Sequence, residues 1–278
     1  MNKLPPDIKE CVQRALAEDL GSGDRSAALI PRDAFAQARV ISREYAIVCG
    51  RAWFDEVFRQ LDAHVALTWE VQDSDEVQAG QTLCTLRGPA RALLSGERTA
   101  LNFLQTLSAT ASTTRTYVDA VRATAAIILD TRKTLPGLRQ AQKYAVTCGG
   151  GQNHRMGLFD AILIKENHIR ASGSISAALA AARAASGEGM VIEVEVENLE
   201  QLGEALAAGA QRLLLDNFDL AALHSAVAIT AGRARLEASG GITLTNLRAT
   251  AETGVDYISV GSLTKNLRAI DQIGRAHV

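Results

Sequence analysis

The chain has 278 residues, 47% of them hydrophobic, which is enough for one large buried core or two ordinary ones. With a net charge of −2, the chain has no overall electrostatic attraction to nucleic acid or to an acidic membrane surface. The sequence contains no run of about 18 apolar residues, so no transmembrane helix is expected. Segment 1–19 lacks the apolar core of a signal peptide, and the four cysteines form no CxxC pair. These features predict a cytoplasmic protein with reduced, mostly buried thiols and without a zinc site.

Residues 1–110 show the pattern of a small sheet flanked by helices. Apolar residues at helical spacing predict helices over 7–18 and 53–61. Short alternating runs between turn residues predict strands over 38–42, 46–49 and 65–71. A long helix with one break is predicted over 89–123.

Beyond residue 110, strand-like runs alternate with alanine-rich helical segments. The helical segments are 175–185, 199–208, 220–228 and 244–252. The strand-like runs end at Asp130, Lys165, Glu195, Asp216, Ser239 and Gly261. Such alternation predicts parallel strands with right-handed crossovers, and polar strand ends favour a closed or nearly closed α/β barrel. A doubly wound open sheet is the alternative, although no GxGxxG motif opens the first helix.

One predicted strand, 192–197, alternates glutamates with aliphatic residues. Glu193, Glu195 and Glu197 share one face of this strand because side chains alternate with a period of two. The outer face of a barrel strand packs under helices, so the glutamates are expected to point into the lumen and to meet cations there. An edge strand with a wet face is the alternative.

Cationic side chains cluster around three strand ends. Arg132, Lys133 and Arg139 lie within the run 130–139, and His154 and Arg155 follow three glycines at 149–151. Lys165 stands at the next strand end. This set fits a ligand with several negative groups, such as a dicarboxylate beside a pyrophosphate. A solvated basic surface is the alternative.

Carboxylates and small-residue loops follow the later strands. Glu195 and Asp216, at neighbouring strand ends, could bind ribose hydroxyls, hold Mg²⁺ or stabilise a developing positive charge. The alternative is a pair of structural carboxylates that form salt bridges with the nearby cations, an arrangement that could coexist with function. The loops at 237–242 and 259–262 each precede a helical segment, as expected of a barrel phosphate site.

Together these motifs make the chain resemble the quinolinate phosphoribosyltransferase family over nearly its whole length. The resemblance rests on the segments 18–24, 96–102, 130–139, 149–155, 163–169, 193–197 and 214–217. Two departures are small. Ser26 stands where the family usually has Thr, and Lys265-Asn266 stands where His-Ser is frequent.

The resemblance implies an α/β fold with two domains. An N-terminal α/β sandwich, residues 1–110, precedes a TIM-like α/β barrel, open or incomplete, over residues 111–278. The extreme C-terminus is expected to pack back on the N-terminal domain. The family is at least dimeric, and the N-terminal domain of one chain covers the barrel mouth of the other. Arg98 is therefore expected to reach the partner's active site.

The resemblance also assigns residues to two substrates, quinolinate and phosphoribosyl pyrophosphate. It implies that the quinolinate carboxylates are held by Arg98, Arg132, His154 and Arg155. Lys133 and Lys165 are expected between quinolinate and the phosphates, and Thr131 also contacts substrate. The loop residues expected to cradle the 5′-phosphate are Ser239, Gly240, Gly241, Gly261 and Ser262.

The reaction that the family carries out is phosphoribosyl transfer to quinolinate with decarboxylation, a step of NAD biosynthesis. Lys133, Glu195 and Asp216 are the expected catalytic residues. Glu195 and Asp216 are also expected to contact Mg²⁺, directly or through water or substrate. No organic cofactor, nucleic acid or membrane partner is expected.

Three alternatives remain at this stage. A Schiff-base lyase could use Lys165 as its nucleophile. A non-catalytic sensor could bind phosphoribosyl pyrophosphate without releasing pyrophosphate. A family paralogue, such as the molybdenum-transport-associated relative, could use a different acceptor.

Overall fold

The computed structural model describes residues 3–187 and 189–277 and divides the chain into two compact units. The N-terminal unit contains Met1–Arg115, Thr134–Gly150 and Leu263–Val278. The barrel unit contains Thr116–Lys133 and Gly151–Ser262. The domain bounds taken from the sequence, 1–110 and 111–278, stay a prediction.

Helices and strands alternate through most of the described chain. In chain order the elements are α1 (Ile8–Leu20), β1 (Phe35–Ser42), β2 (Ala46–Ile47), α2 (Arg51–Leu61), β3 (Ala66–Trp69), β4 (Glu76–Val77), β5 (Thr82–Pro89), α3 (Ala90–Val121), β6 (Ile127–Leu129), α4 (Arg139–Cys148), β7 (Ala161–Ile164), α5 (Glu166–Ser172), α6 (Ile175–Ala185), β8 (Val191–Val196), α7 (Leu199–Ala207), β9 (Arg212–Asp216), α8 (Leu220–Thr230), β10 (Arg235–Ser239), α9 (Leu244–Glu252), β11 (Tyr257–Ser259), α10 (Ser262–Lys265) and β12 (Gln272–His277).

The N-terminal unit is built on a four-stranded sheet in the order β12-β1-β5-β3. All three pairings in this sheet are antiparallel, and β12 brings the C-terminal end of the chain alongside β1. Helix α2 buries Trp53, Phe54 and Phe58 in the core of this unit. The rings of Phe54 and Trp69 meet edge to face at 5.3 Å, an arrangement that aromatic pairs prefer.

Helix α3 runs for 32 residues, so the predicted break in it is wrong. Its middle is rich in Ser and Thr, which compete for backbone hydrogen bonds and lower helix propensity. Here the hydroxyls of Ser112 and Thr114 donate to the carbonyls of Ser108 and Thr110, one turn earlier. The polar side chains are thus satisfied within the helix, which continues through them.

The barrel unit contains six parallel strands in the order β6-β11-β10-β9-β8-β7. From β7 to β11 the order advances in one direction, as in a barrel and unlike a doubly wound sheet, whose order reverses near its centre. Within the described residues the six-strand order ends at β6 and β7, with a single parallel bridge from Leu129 of β6 to Gln152 beyond it, so the barrel is open. The predicted fold class, a sheet domain followed by an open α/β barrel, is confirmed.

The strand that carries the glutamates lies inside this sheet. β8 pairs with β7 on one side and β9 on the other, and Glu193 is only 2% exposed. The alternative of an edge strand with a wet face is therefore wrong.

Short connections fix where the barrel strands end. The side chains of Ser174, Asn198 and Asp219 accept backbone N–H groups at the starts of α6, α7 and α8. These caps begin each helix close to the preceding loop and so determine which residues remain at the carboxyl edge of the sheet.

The four cysteines are buried free thiols, as predicted. No helix in the described ranges is both long and apolar enough to cross a membrane.

Candidate active site

A cleft of about 660 Å³ opens at the carboxyl ends of the barrel strands, and only residues of the barrel unit line it. Eleven of the residues singled out from the sequence line this cleft together: Thr131, Arg132, Lys133, His154, Arg155, Lys165, Glu195, Asp216, Ser239, Gly240 and Gly241. The carboxyl ends of parallel strands meet at one edge of a sheet, which explains why residues distant in sequence share the cavity.

Three other predicted site residues do not line this cleft. Gly261 lies beside the loop after β6, and Ser262 lies within hydrogen-bonding distance of Tyr117, 3.2 Å between the hydroxyl oxygens. Arg98 is exposed on α3, in the N-terminal unit.

The positive side of the cleft is formed by Arg132, Lys133 and Arg155. Burial and the neighbouring charge of Arg132 lower the pKa of the Arg155 guanidinium, which donates to the carbonyl of Ala161 at 3.1 Å. Two guanidinium groups close enough to repel each other gain energy when an anion comes between them. This part of the cleft is therefore suited to carboxylate or phosphate groups.

The loop after β6 holds Lys133 against a glycine. Thr131 Oγ1 accepts the backbone N–H of Lys133 at 3.1 Å, which closes a tight turn. A Cβ atom at Gly261 would lie 3.1 Å from Lys133 Cδ. The absence of a side chain at 261 therefore lets the lysine stem pack there.

The negative side of the cleft contains Glu195 and Asp216. Glu195 forms an ion pair with Lys165, so the alternative in which these carboxylates pair with nearby cations holds for Glu195. Asp216 accepts a hydrogen bond from the amide of Asn217 at 3.0 Å. The cleft thus places opposite charges side by side, which suits a ligand carrying both hydroxyl and anionic groups.

The loop after β10 requires glycine. Gly240 has φ +92°, and a Cβ atom there would lie 2.1 Å from Asn217 Oδ1. Gly241 follows with φ +61°. Both angles lie in the left-handed region that side chains disfavour, and the bare backbone lets a ligand approach closely. The geometry agrees with a loop that receives a phosphate.

Beneath the cleft lies a charged cluster of Glu193, Glu237 and Arg212. The sequence pattern predicted a cation beside Glu193, assigned no role to Arg212, and placed Glu237 in the loop 237–242, whereas it lies within β10. The Arg212 guanidinium donates to Glu193 at 2.9 Å and to Glu237 at 2.7 Å. Glu193 also accepts from His154 Nε2 at 2.8 Å. A sequence signal for the cluster did exist: charged residues recur in parallel strands whose buried faces should be apolar.

Burial and neighbouring charges act on the two carboxyl groups differently. Burial raises the pKa of Glu237 to about 7, and the negative charge of Glu193 adds to the effect. Burial alone would also raise the pKa of Glu193, but the hydrogen bond from His154, together with the positive charge and hydrogen bond of Arg212, outweighs it and lowers that pKa. Glu193 is the charged member of the pair, and Glu237 can hold a proton.

His154 has protein partners at both ring nitrogens. Its Nδ1 accepts the backbone N–H of Arg155 at 2.7 Å, and its Nε2 lies 2.8 Å from Glu193 Oε2. Its backbone N–H donates to the buried carboxylate of Asp130 at 2.9 Å. The residue lines the cleft, and in this conformation both of its ring nitrogens contact protein groups.

The comparisons with known proteins cover nearly the whole chain. The N-terminal domain model of quinolinate phosphoribosyl transferase matches residues 24–108, and the C-terminal domain model matches residues 110–273. A nicotinate-nucleotide pyrophosphorylase (carboxylating) of Mycobacterium leprae is 45% identical over 95% of each chain. A decarboxylating quinolinate phosphoribosyltransferase of Nicotiana tabacum is 38% identical over 95% of this chain and 81% of its own length.

A solved structure agrees with these matches. The nicotinate-nucleotide pyrophosphorylase of Francisella tularensis superposes with a TM-score of 0.96 at 46% identity, covering 99% of this chain and 98% of that one. Sequence, fold and the cleft of charged residues point to the same group of proteins. The chain belongs to the quinolinate phosphoribosyltransferase family.

Proposed function

We propose that this protein is a decarboxylating quinolinate phosphoribosyltransferase, a pentosyltransferase of NAD biosynthesis. It transfers the phosphoribosyl group of phosphoribosyl pyrophosphate to quinolinate and produces nicotinate mononucleotide, pyrophosphate and carbon dioxide. The observation that carries the proposal is the shared cleft of cations and carboxylates, in a chain whose relatives are named for this reaction.

Charge neutralisation explains the composition of the cleft. Quinolinate and phosphoribosyl pyrophosphate are both polyanions, and their mutual repulsion must be offset before they can react. Arg132 and Arg155 hold the quinolinate carboxylates, while Lys133 lies between the acceptor and the pyrophosphate. Lys165 exchanges its partner Glu195 for substrate oxygens when the substrates bind. The Ser239–Gly241 loop receives the 5′-phosphate.

The reaction proceeds by displacement at the anomeric carbon. The pyridine nitrogen forms a bond to this carbon as the bond to pyrophosphate breaks, through a transition state with oxocarbenium character. Glu195 and Asp216 stabilise the developing positive charge, an effect worth about 3 kcal/mol for a well-placed group. The bond from C2 to its carboxylate then breaks, the electron pair stays on C2 beside the cationic nitrogen, and C2 takes a proton from water.

The oxygen ligands in the cleft suit Mg²⁺, and two carboxylates, Glu195 and Asp216, are the protein ligands expected for it. Glu195 and Asp216 offer hard oxygen ligands, which Mg²⁺ prefers, and Mg²⁺ commonly keeps several waters and substrate phosphate oxygens. Glu195 is already paired with Lys165. Asp216 and Glu195 would therefore hold the ion directly or through water, together with pyrophosphate oxygens. When bound, it supplies charge neutralisation for the leaving pyrophosphate. No organic cofactor is needed, because the ribosylated ring nitrogen stabilises the carbanion.

The active unit is a homodimer in which Arg98 of one chain completes the site of the other. Arg98 is exposed on α3 and lies in segment 96–102, one of the segments that support the family resemblance. His154, which the resemblance assigns to the quinolinate carboxylates, lines the same cleft and remains a proposed ligand of them. No nucleic acid or membrane partner is involved, and a cytoplasmic location stays a prediction.

Two other activities make different predictions. A Schiff-base lyase would be trapped on Lys165 by borohydride with a keto substrate, and a family paralogue would prefer another acceptor. The sensor alternative predicts binding without pyrophosphate release. We expect none of these outcomes, because the family matches span both domains and the relatives carry the name of the transferase.

The deciding assay follows pyrophosphate and carbon dioxide together. With quinolinate, phosphoribosyl pyrophosphate and Mg²⁺, we expect the two products in equal amounts. Nicotinate lacks the carboxylate that leaves, and we expect no pyrophosphate release with it. Turnover with nicotinate, or none with quinolinate, would disprove the assignment.

A further inference from the structure

Glu193, Arg212 and Glu237 form a cluster at the base of the cleft, which we call the carboxylate–arginine cluster; its two carboxylates are buried, and the side chain of Arg212 is 23% exposed. They come from the three adjacent strands β8, β9 and β10. Glu193 is 2% exposed and Glu237 is fully buried. Of the three, only Glu237 lines the cleft.

The cluster is costly for a purely structural element. Charged groups lose their hydration on burial, and well-packed apolar residues of similar volume are commonly as stable or more stable. Here two carboxylates share a single guanidinium, and Glu237 Oε1 has no hydrogen-bond partner. An apolar core would serve packing alone at least as well, so a functional use of these charges is the better explanation.

Arg212 is held from three sides. Its Nε and one terminal nitrogen contact Glu193 and Glu237, and its guanidinium carbon lies 4.6 Å from the ring centre of Tyr257. Such a forked arrangement fixes a planar guanidinium in orientation, which a lysine ammonium could not reproduce. Arg212 therefore sets the positions of the two carboxylates that face His154.

The partners of the two ring nitrogens together determine which nitrogen of His154 carries a proton. Nδ1 accepts the N–H of Arg155, so it has no proton of its own, and the proton must be on Nε2. Nε2 lies 2.8 Å from Glu193 Oε2 and 3.6 Å from Glu237 Oε1. The acceptors on this side of the ring thus favour the Nε2–H form.

The state of His154 affects the position of Arg155. If Nδ1 also gained a proton, two N–H donors would face each other at a spacing that is now 2.7 Å. The hydrogen bond would be lost and the turn between residues 154 and 155 would open. Arg155 lies next in the chain and lines the cleft with Arg132. A small displacement of a binding group can cost about a hundredfold in rate.

We propose that Arg212 and Glu237 are positioning residues for the acceptor substrate: with Glu193, they hold His154 as the neutral Nε2–H tautomer, and this tautomer fixes the backbone from which Arg155 reaches the cleft. The inference rests on the proposed function, because the acceptor is taken to be the dicarboxylate quinolinate. It adds residues that act through His154 and do not touch substrate themselves.

The test compares Arg212→Met and Arg212→Lys with the matched control Arg235→Met. Arg235 lies at the start of β10 and pairs with Asp256 at the surface. In Arg212→Met we expect the KM for quinolinate to rise at least about tenfold, with the KM for phosphoribosyl pyrophosphate nearly unchanged. Arg212→Lys keeps the positive charge and so should fold, and its KM for quinolinate should rise severalfold. Arg235→Met should leave both constants unchanged.

A second readout does not depend on turnover. Nitrogen-15 spectra of the imidazole rings report which nitrogen of His154 is protonated, and the His154→Asn variant assigns the signal. The wild type should show a proton only on Nε2. Arg212→Met removes the guanidinium that orients Glu193, so the proton of His154 should no longer be confined to Nε2, whereas Arg212→Lys should keep it there.

The outcomes separate the inference from the proposed function. If the wild type does not convert quinolinate, the proposed function is wrong, and the spectra still test the link between Arg212 and His154. If the wild type converts quinolinate but both Arg212 variants keep its KM, or His154 is imidazolium in the wild type, the positioning role is wrong. Should Arg212→Met fail to fold, Arg212→Lys alone decides: an unchanged KM for quinolinate overturns the proposal.

Discussion

Glu237 is a carboxyl group that the protein buries completely and leaves with one unpartnered oxygen. Burial, together with the charge of Glu193, raises its pKa from an ordinary 4.5 to about 7. At pH values between 4.5 and about 7, Glu237 in the folded protein retains a proton that it has released in the unfolded chain. The free energy of unfolding therefore falls as pH rises through this window, and it stays lowered above pH 7.

The variant Glu237→Gln cannot ionise, so it should lose this pH dependence. The difference in free energy of unfolding between this variant and the wild type should shift in favour of the variant when the pH is raised from about 5 to about 8. The shift should be at most about 3 kcal/mol. Urea unfolding at the two pH values measures the difference. As a control, Glu252→Gln changes an exposed partner of Arg248 and should show no such gain. An equal pH dependence in Glu237→Gln and the wild type would contradict a raised pKa.

At the scale of elements, α3 is tied to the chain after β2 through one buried hydroxyl. Ser108 Oγ accepts the N–H of Cys49 at 3.0 Å and donates to the carbonyl of Cys49 at 3.2 Å. Ser108 and Cys49 are both fully buried. The hydroxyl thus satisfies two backbone groups that have no access to water.

Replacing Ser108 by Ala should lower the free energy of unfolding by about 1–3 kcal/mol, because the buried N–H of Cys49 would lose its acceptor. Ser225→Ala is the matched control, since its hydroxyl is exposed on α8 and donates only to the carbonyl one turn earlier. Chemical denaturation of both variants measures the effect. If Ser108→Ala were as stable as the control variant, the hydrogen bonds between Ser108 and Cys49 would contribute nothing to stability.

Much of the element pattern could be predicted because local signals carry it. The helices Ile175–Ala185 and Leu244–Glu252 have the bounds expected from apolar spacing and capping residues. The predicted break in α3 was wrong, because hydrogen bonds from side chain to backbone within the helix compensate for its Ser- and Thr-rich stretch. Such compensation depends on rotamers that a sequence pattern does not specify.

The site was predictable only in part, because some of its residues act through contacts between strands that a sequence pattern does not specify. The residues at strand ends were found because polar groups that interrupt an apolar strand are visible in sequence, and eleven of them share one cleft. Arg212 and Glu237 lie inside strands, where their role depends on which neighbours they face across the sheet. The engagement of both His154 nitrogens likewise depends on a single side-chain orientation.

At the scale of the whole molecule, the proposed dimer predicts complementation between two inactive variants. Arg98→Ala would lack the arginine donated to the partner, and Lys133→Ala would damage its own cleft. In a mixed dimer one site would combine an intact Lys133 with an intact Arg98. Each variant alone should be nearly inactive, and a mixture refolded together should regain about a quarter of wild-type activity through statistical pairing. No recovery, despite proven subunit exchange, would contradict a site shared between chains.

In the proposed reaction, cations from several strand ends neutralise two mutually repelling anions in one cleft. Quinolinate-dependent pyrophosphate release by Lys133→Ala and Arg155→Ala tests it most directly, with Arg235→Ala as a surface control. We expect at least about a hundredfold loss of rate in both cleft variants, with unchanged circular dichroism and melting temperature, and a normal rate in the control. Near-normal pyrophosphate release in both cleft variants would contradict it.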